Sequence, residues 1–301
     1  MTGRSTIKRA TLPALAGLCL TLLAGAAVAE GPVGPPPGTP PEAGPAAAPP
    51  PPEAMSGARG LAAEVAAALG KTIAPVAPPR PITPGPVVIE LFTSQGCSAC
   101  PPADALLADL AARPDVIPLA LHVDYWDYLG WEDPFAQPAF TARQKAYAYA
   151  AGERTIYTPQ MIVAGTEALV GPEADTLEVL IQKGKAATDQ VGIEVTGSGG
   201  QYQIEIWAAQ PLPEPTVVQI VRYAPEARVK ILRGENAGLE VDYANVVTSW
   251  HAVAQWDGKA PTRLSATLEG EEPAVVIVQN ARPGRKAPLP GPILAAARLG
   301  R

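Results

Sequence analysis

Thiols and imidazoles are scarce in this chain of 301 residues, which has three cysteines and only two histidines, His122 and His251. So few histidines weigh against a Cys/His metal cluster and against a histidine-dependent triad. Positive charge is also short: 23 Lys and Arg stand against 29 Asp and Glu, for a net charge of −6. That balance gives no basic face for phosphates or anionic lipid, so no nucleic-acid partner is expected. Beyond the first thirty residues no apolar run is long enough to cross a bilayer.

The beginning of the chain has its own character. Residues 1–29 read as a secretory signal peptide: Arg4, Lys8 and Arg9, an apolar stretch from Leu12 to Leu23, then the small-residue site Ala27-Val28-Ala29. The absence of an Arg-Arg pair points to a Sec-type route, with a periplasmic or secreted destination and no stable membrane insertion after cleavage. Cys19 leaves with this leader, and Leu18 is too bulky to precede a lipid-modified cysteine. Residues 30–86 read as a disordered Pro/Ala/Gly-rich linker; 17 of the 36 prolines fall between 31 and 86, so the segment is extended and semi-rigid rather than core-forming. Within it, Leu61, Val65 and Leu69 are spaced either as one short amphipathic helix or as a marginal Ala-rich helix that does not dock.

Both remaining thiols therefore lie in Cys97-Ser98-Ala99-Cys100. Before them runs the β-branched stretch Val87–Phe92; after them, Pro101–Leu110 has helical character. The pair thus sits at a strand-to-helix turn, where unpaired amides and the positive end of the helix dipole favour a thiolate. Cys97 is the expected nucleophile and Cys100 the resolving thiol. A purely structural disulfide closing so short a loop would contribute only about 2 kcal/mol. A soft-metal role, in particular for Cu(I), is the other chemistry two thiolates suit. Neither a resident metal nor any other cofactor is expected.

The pattern continues with strand Val116–Val123, an acidic and aromatic stretch from Asp124 to Phe135, a helix over Ala139–Ala150, strands around Ile156–Val163 and Ala168–Gly171, and a helix over Ala174–Lys185. Residues 87–190 thus read β-α-β-α-β-β-α, a thioredoxin-like α/β core. From 191 to 301 the period changes to short alternating runs separated by Gly, Pro, Asn and Asp. These predict a separate, antiparallel β-sandwich-like domain with a Gly199-Gly200 hairpin and a short C-terminal helix after Pro288.

The stretches Val88–Asp104, His122–Asp127, Tyr157–Met161 and Gly234-Glu235-Asn236 carry a resemblance to a family of exported bacterial thioredoxin-like proteins catalogued as domain of unknown function 1223. The resemblance implies that fold and a disulfide chemistry, but no substrate. It also implies that Thr158-Pro159 has a cis peptide bond beside the cysteines and offers backbone to a substrate. Asp124 is a possible proton acceptor for Cys100, or alternatively a helix cap. Trp126, Tyr128 and Trp131 either line a groove or pack the core. His122 reads as a packed or hydrogen-bonded histidine, and Arg143 and Lys145 as helix-surface charges. Gly234–Gly238 reads as a tight turn, with the alternative that it brings Glu235 and Asn236 to the thiols. The expected partners are protein or small-molecule thiols and disulfides; a non-catalytic binding module on the same scaffold is the remaining alternative.

Overall fold

The computed structural model describes residues 80–284 and 288–300. The leader, most of the proline-rich segment and the helix expected between Met55 and Leu69 lie outside the described residues.

Two strands start the architecture because their side chains are apolar on both faces. β1 (Val87–Thr93) and β2 (Val116–His122) are buried along their whole length and pair in parallel, Val87 opposite Val116 and Thr93 opposite His122. The crossover between them is α1 (Pro101–Ala111), which sends Ala103, Leu107 and Leu110 to the sheet at helical spacing. After β2 come a short 3₁₀ turn (Asp127–Leu129) and α2 (Pro138–Ala150). β3 (Gln160–Val163) returns antiparallel to β1, β4 (Glu167–Val170) pairs with β3, and α3 (Ala174–Ala187) closes this half.

The second half supplies β5 (Val191–Ser198), β6 (Gln201–Ala208), β7 (Thr216–Lys230), β8 (Glu240–Trp256), β9 (Thr262–Thr267), β10 (Ala274–Arg282) and β11 (Leu289–Leu299). Gly199 and Gly200, both at positive φ, form the expected β5–β6 turn. β5, β6 and β9 make a small antiparallel sheet, whereas β7, β8, β10 and β11 join the first half in one eight-stranded sheet of order β11-β10-β7-β8-β2-β1-β3-β4. The boundary drawn at residue 190 is therefore crossed by a continuous sheet. The seam is the parallel pairing of β8 with β2, and it is narrow, with Ala120 opposite Val246 as its register pair. Pro118 explains the narrowness: it turns its carbonyl towards β8 but has no N–H to give, and the Asn245 side chain donates to that carbonyl at 2.9 Å.

Alternation along β1 assigns the faces. Val87, Ile89 and Leu91 pack with α1 and α3, while Val88 and Phe92 pack with Phe140 and Tyr147 of α2. On β10, Val275 and Ile277 share the α2 side, and Val276 and Val278 pack against the small sheet through Ile204 and Ile206. The C-terminal run after Pro288 is a strand where a short helix was expected. Ala295–Ala297 has helical propensity, but pairing with β10 overrides it, and β11 is an edge strand that tolerates Pro290 and Pro292.

Arg143 corrects a second expectation. Rather than a free surface charge, it is half-buried on α2, bonded through Nε and Nη2 to Glu90 at 2.5 and 2.9 Å, with its guanidinium 3.8 Å from the Trp250 ring centroid. Glu90 is fully buried in mid-strand, and a buried carboxylate needs such a partner.

Candidate functional site

β1 ends at Thr93, and the chain turns at once. The Ser94 carbonyl accepts from Cys97 N (3.1 Å), the Ser94 hydroxyl accepts from Gly96 N (3.1 Å), and the Cys97 carbonyl accepts from Cys100 N (3.1 Å). This winding brings the Cys97 and Cys100 Cα atoms to 5.4 Å, and the two sulfurs form a disulfide. α1 starts immediately after Cys100 with Pro101 and Pro102, residues whose fixed φ suits a first helical turn. The expectation of free amides there is met only in part. Both prolines lack an N–H, and Ala103 and Asp104 donate theirs to the Cys100 carbonyl. The helix dipole remains as the favourable field for a thiolate. Ser98 and Ala99 are exposed, while Cys97 is 2% and Cys100 0% exposed.

The Thr158-Pro159 peptide bond is cis and leads into β3, whose Gln160 pairs with Phe92 of β1. Trp126 joins this bond to the cysteine turn. Its indole Nε1 donates to the Thr158 hydroxyl at 2.7 Å, and its backbone lies so close to Gly96 that a Cβ there would fall 3.1 Å from Trp126 Cβ. Cys97, Cys100, Thr158 and Pro159 are thus gathered at one end of β1 and β3. Asp124 is held elsewhere: its carboxylate accepts from the Thr141 hydroxyl on α2 at 2.5 Å. Of the other aromatics, Tyr128 is 77% exposed, and Trp131 donates its indole N–H to Gln95 Oε1 at 2.8 Å.

Beneath the cysteines lies a buried polar network that sequence reasoning missed. Asp104, one turn after Cys100 and on the same side of α1, accepts from the Thr93 hydroxyl at 2.8 Å. Its second oxygen, Oδ2, has no hydrogen-bond partner among the described residues. Burial pushes the Asp104 carboxyl up to about 7; nearby His122 and the Thr93 bond oppose the rise, and Asp133 adds to it. His122, in register with Thr93, donates from Nδ1 to Asp133 Oδ2 at 2.7 Å, as a hydrogen-bonded histidine was expected to do. The same oxygen accepts from Gln95 N at 2.8 Å, and His122 Nε2 is buried without a partner among the described residues. Tyr243 packs edge-on to His122 with centroids 4.9 Å apart, and burial together with the two carboxylates holds its phenol well above the usual range.

The β7–β8 loop completes the site. Gly234 and Gly238 take positive φ, as the tight-turn reading requires, yet the loop also reaches the cysteine turn. Asn236 Nδ2 donates to the carbonyls of Gln95 and Cys97, each at 2.9 Å, while Glu235 is exposed. One signal for Asp104 was available, its four-residue spacing from Cys100 on a helix. Nothing local marked Gln95 or Asp133 as neighbours of the disulfide, whereas Asn236 beside the thiols is the alternative reading of the Gly234–Gly238 turn.

Among the described residues, no three His, Cys, Asp or Glu side chains are grouped to hold one metal ion, and no helix is long and apolar enough to cross a membrane. Fold and site define a mixed α/β protein that carries a Cys-x-x-Cys disulfide at a helix N-terminus. Residues 88–279 match the family described as Protein of unknown function (DUF1223), and the chain belongs to that family. Its fold is similar to that of protein AGR_C_4864 from Agrobacterium tumefaciens, with 30% identity over 72% of this chain and 95% of the other and a TM-score of 0.61. HBP35 of Porphyromonas gingivalis aligns at 14% identity over 73% of this chain and 76% of the other, with a TM-score of 0.48. No curated protein matches the chain.

Proposed function

We propose that this protein is an exported thiol–disulfide oxidoreductase that works through Cys97 and Cys100. The observation that carries the reading is the disulfide at the start of α1 with the buried carboxyl of Asp104 one turn below it. Three further features support it. The order β2-β1-β3-β4, with α1 and α3 on one face and α2 on the other, is the arrangement this reading expects of a thioredoxin-like core. The cis Thr158-Pro159 bond stands beside the cysteine turn through Trp126. An oxidising compartment after removal of the leader suits a lone redox pair.

In the direction that reduces the protein, a partner thiolate attacks Cys97 Sγ. A mixed disulfide forms and the Cys97–Cys100 bond breaks, leaving Cys100 as thiolate. Asp104, with its raised pKa, is the nearby group suited to give that thiolate a proton and to take it back in the reverse step. A second partner thiolate then attacks the partner sulfur of the mixed disulfide, releasing the partner disulfide and leaving Cys97 as thiolate. Two thiols are oxidised as one protein disulfide is reduced, and the reverse sequence oxidises a partner. The direction follows the reduction potential of the pair.

The test is Cys97→Ser assayed for insulin-disulfide reduction and for oxidation of a model dithiol. Loss of both activities is expected, while unchanged turnover would remove this reading. A stable mixed disulfide trapped by Cys100→Ser would then identify the partner.

A further inference from the structure

Exchange requires a partner sulfur to approach Cys97 Sγ along the S–S axis, yet Cys97 is only 2% exposed. The inference rests on the exchange reading above and concerns what closes that approach. The loop Ile231–Leu239 is tied at its base by two bonds, Ile231 N to the Leu239 carbonyl (2.9 Å) and Gly238 N to the Ile231 carbonyl (2.8 Å). Beyond that base, Leu232, Arg233, Glu235 and Ala237 are exposed and give the loop little anchorage. Asn236 is the exception, at 5% exposure. Both hydrogens of its amide are used, one on Gln95 O and one on Cys97 O, which are the carbonyls flanking the turn that presents the reactive sulfur. Gly234 adds contact with the Trp131 stretch, since a Cβ there would stand 3.3 Å from Trp131 Cβ.

We propose that Asn236 is a gating residue for disulfide exchange: its carboxamide fastens the Ile231–Leu239 loop to the Gln95–Cys97 turn, and the disulfide reacts from the state in which those two bonds are released. Partner entry is thereby coupled to loop release. Small and large thiols alike then meet a common opening step, and at high thiol concentration the reduction rate levels off at the opening rate.

The test is the rate of disulfide reduction by dithiothreitol under native conditions, measured against thiol concentration for the full chain, Asn236→Ala and Asn236→Asp. Asp cannot donate to the two carbonyls, so both variants release the loop. Loss of two ordinary hydrogen bonds corresponds to a rise of about 30-fold in the open fraction and in the low-thiol rate. A plateau in the full chain and its loss in the variants are expected. Gly165→Ala serves as the control, because Gly165 lies in the β3–β4 turn at the opposite end of β1, where neighbouring Ala164 bonds Val88, and it weakens the fold without touching the gate. If Asn236→Ala leaves the rate unchanged, or if Gly165→Ala accelerates reduction in proportion to the stability lost, the gate is refuted. Dithiothreitol needs no physiological partner, so the gate can fail while exchange activity stands, and the reverse holds as well.

Discussion

Replacing Asp104 by asparagine isolates a buried carboxyl whose titration is strongly displaced. The carboxyl is 4% exposed, and burial raises its pKa from 3.8 to about 7. Folding therefore favours the protonated form. The stability this contributes is complete below about pH 4 and is lost as pH rises through 7. At 1.36 kcal/mol for each pH unit separating the two values, the loss reaches about 4 kcal/mol by pH 8. The carboxamide of the Asp104→Asn variant keeps an oxygen for the Thr93 hydroxyl and has nothing to ionise. Urea unfolding of the oxidised protein and of Asp104→Asn at half-unit steps from pH 4 to pH 8 gives the difference between the two at each pH. In that difference, groups unaffected by the substitution cancel. The variant is expected to gain about 4 kcal/mol on the wild type across the series, most of it between pH 5 and pH 7. A difference that stays flat to within about 1 kcal/mol would show that Asp104 titrates normally, and the proton role assigned to it would fall as well.

Two other perturbations probe the frame that holds the site. Arg143→Met leaves the buried Glu90 carboxyl in mid-sheet without its cation and is expected to cost about 3–5 kcal/mol in urea unfolding, much of it recovered in Glu90→Gln/Arg143→Met. A neutral single variant would mean that Glu90 is not held as an ion pair. Gly165→Ala places a side chain at φ +75°, 2.6 Å from the Gly291 carbonyl, and is expected to lower stability by at least about 1 kcal/mol, read as a fall in Tm. An unchanged Tm would show that this turn relaxes freely.

How far the sequence can be read depends on the range of the interaction involved. The strand, turn and helix around Cys97 follow from local pattern: a β-branched run, a glycine before the first cysteine, and two prolines at the first helical positions. The hairpin at Gly199-Gly200 is legible for the same reason, because positive φ at two successive residues is a local demand that glycine meets. Leu289–Leu299 shows the limit. Its alanines favour a helix in isolation, and only the ladder offered by β10 makes it a strand. Arg143 shows another, since a charge on a helix reads as solvated until its partner, here 53 residues away, is known.

By itself the sequence determined which atoms are able to do chemistry and what their nearest covalent neighbours impose: two thiols three residues apart at the head of a helix; only the family resemblance implied that the Thr158-Pro159 bond lies beside them. The tertiary structure alone decided the environment of those thiols. Asp104 comes to about 7 because burial beneath the sheet takes water away from it, against the opposing pull of His122 and the Thr93 bond; Asp124, equally acidic in sequence, is spent on Thr141. Asn236 meets Cys97 only because β8 pairs with both β2 and β7, which carries the β7–β8 loop across the first half of the chain. Solvation and long-range hydrogen bonding depend on what surrounds a residue in space, and a short motif carries no record of that.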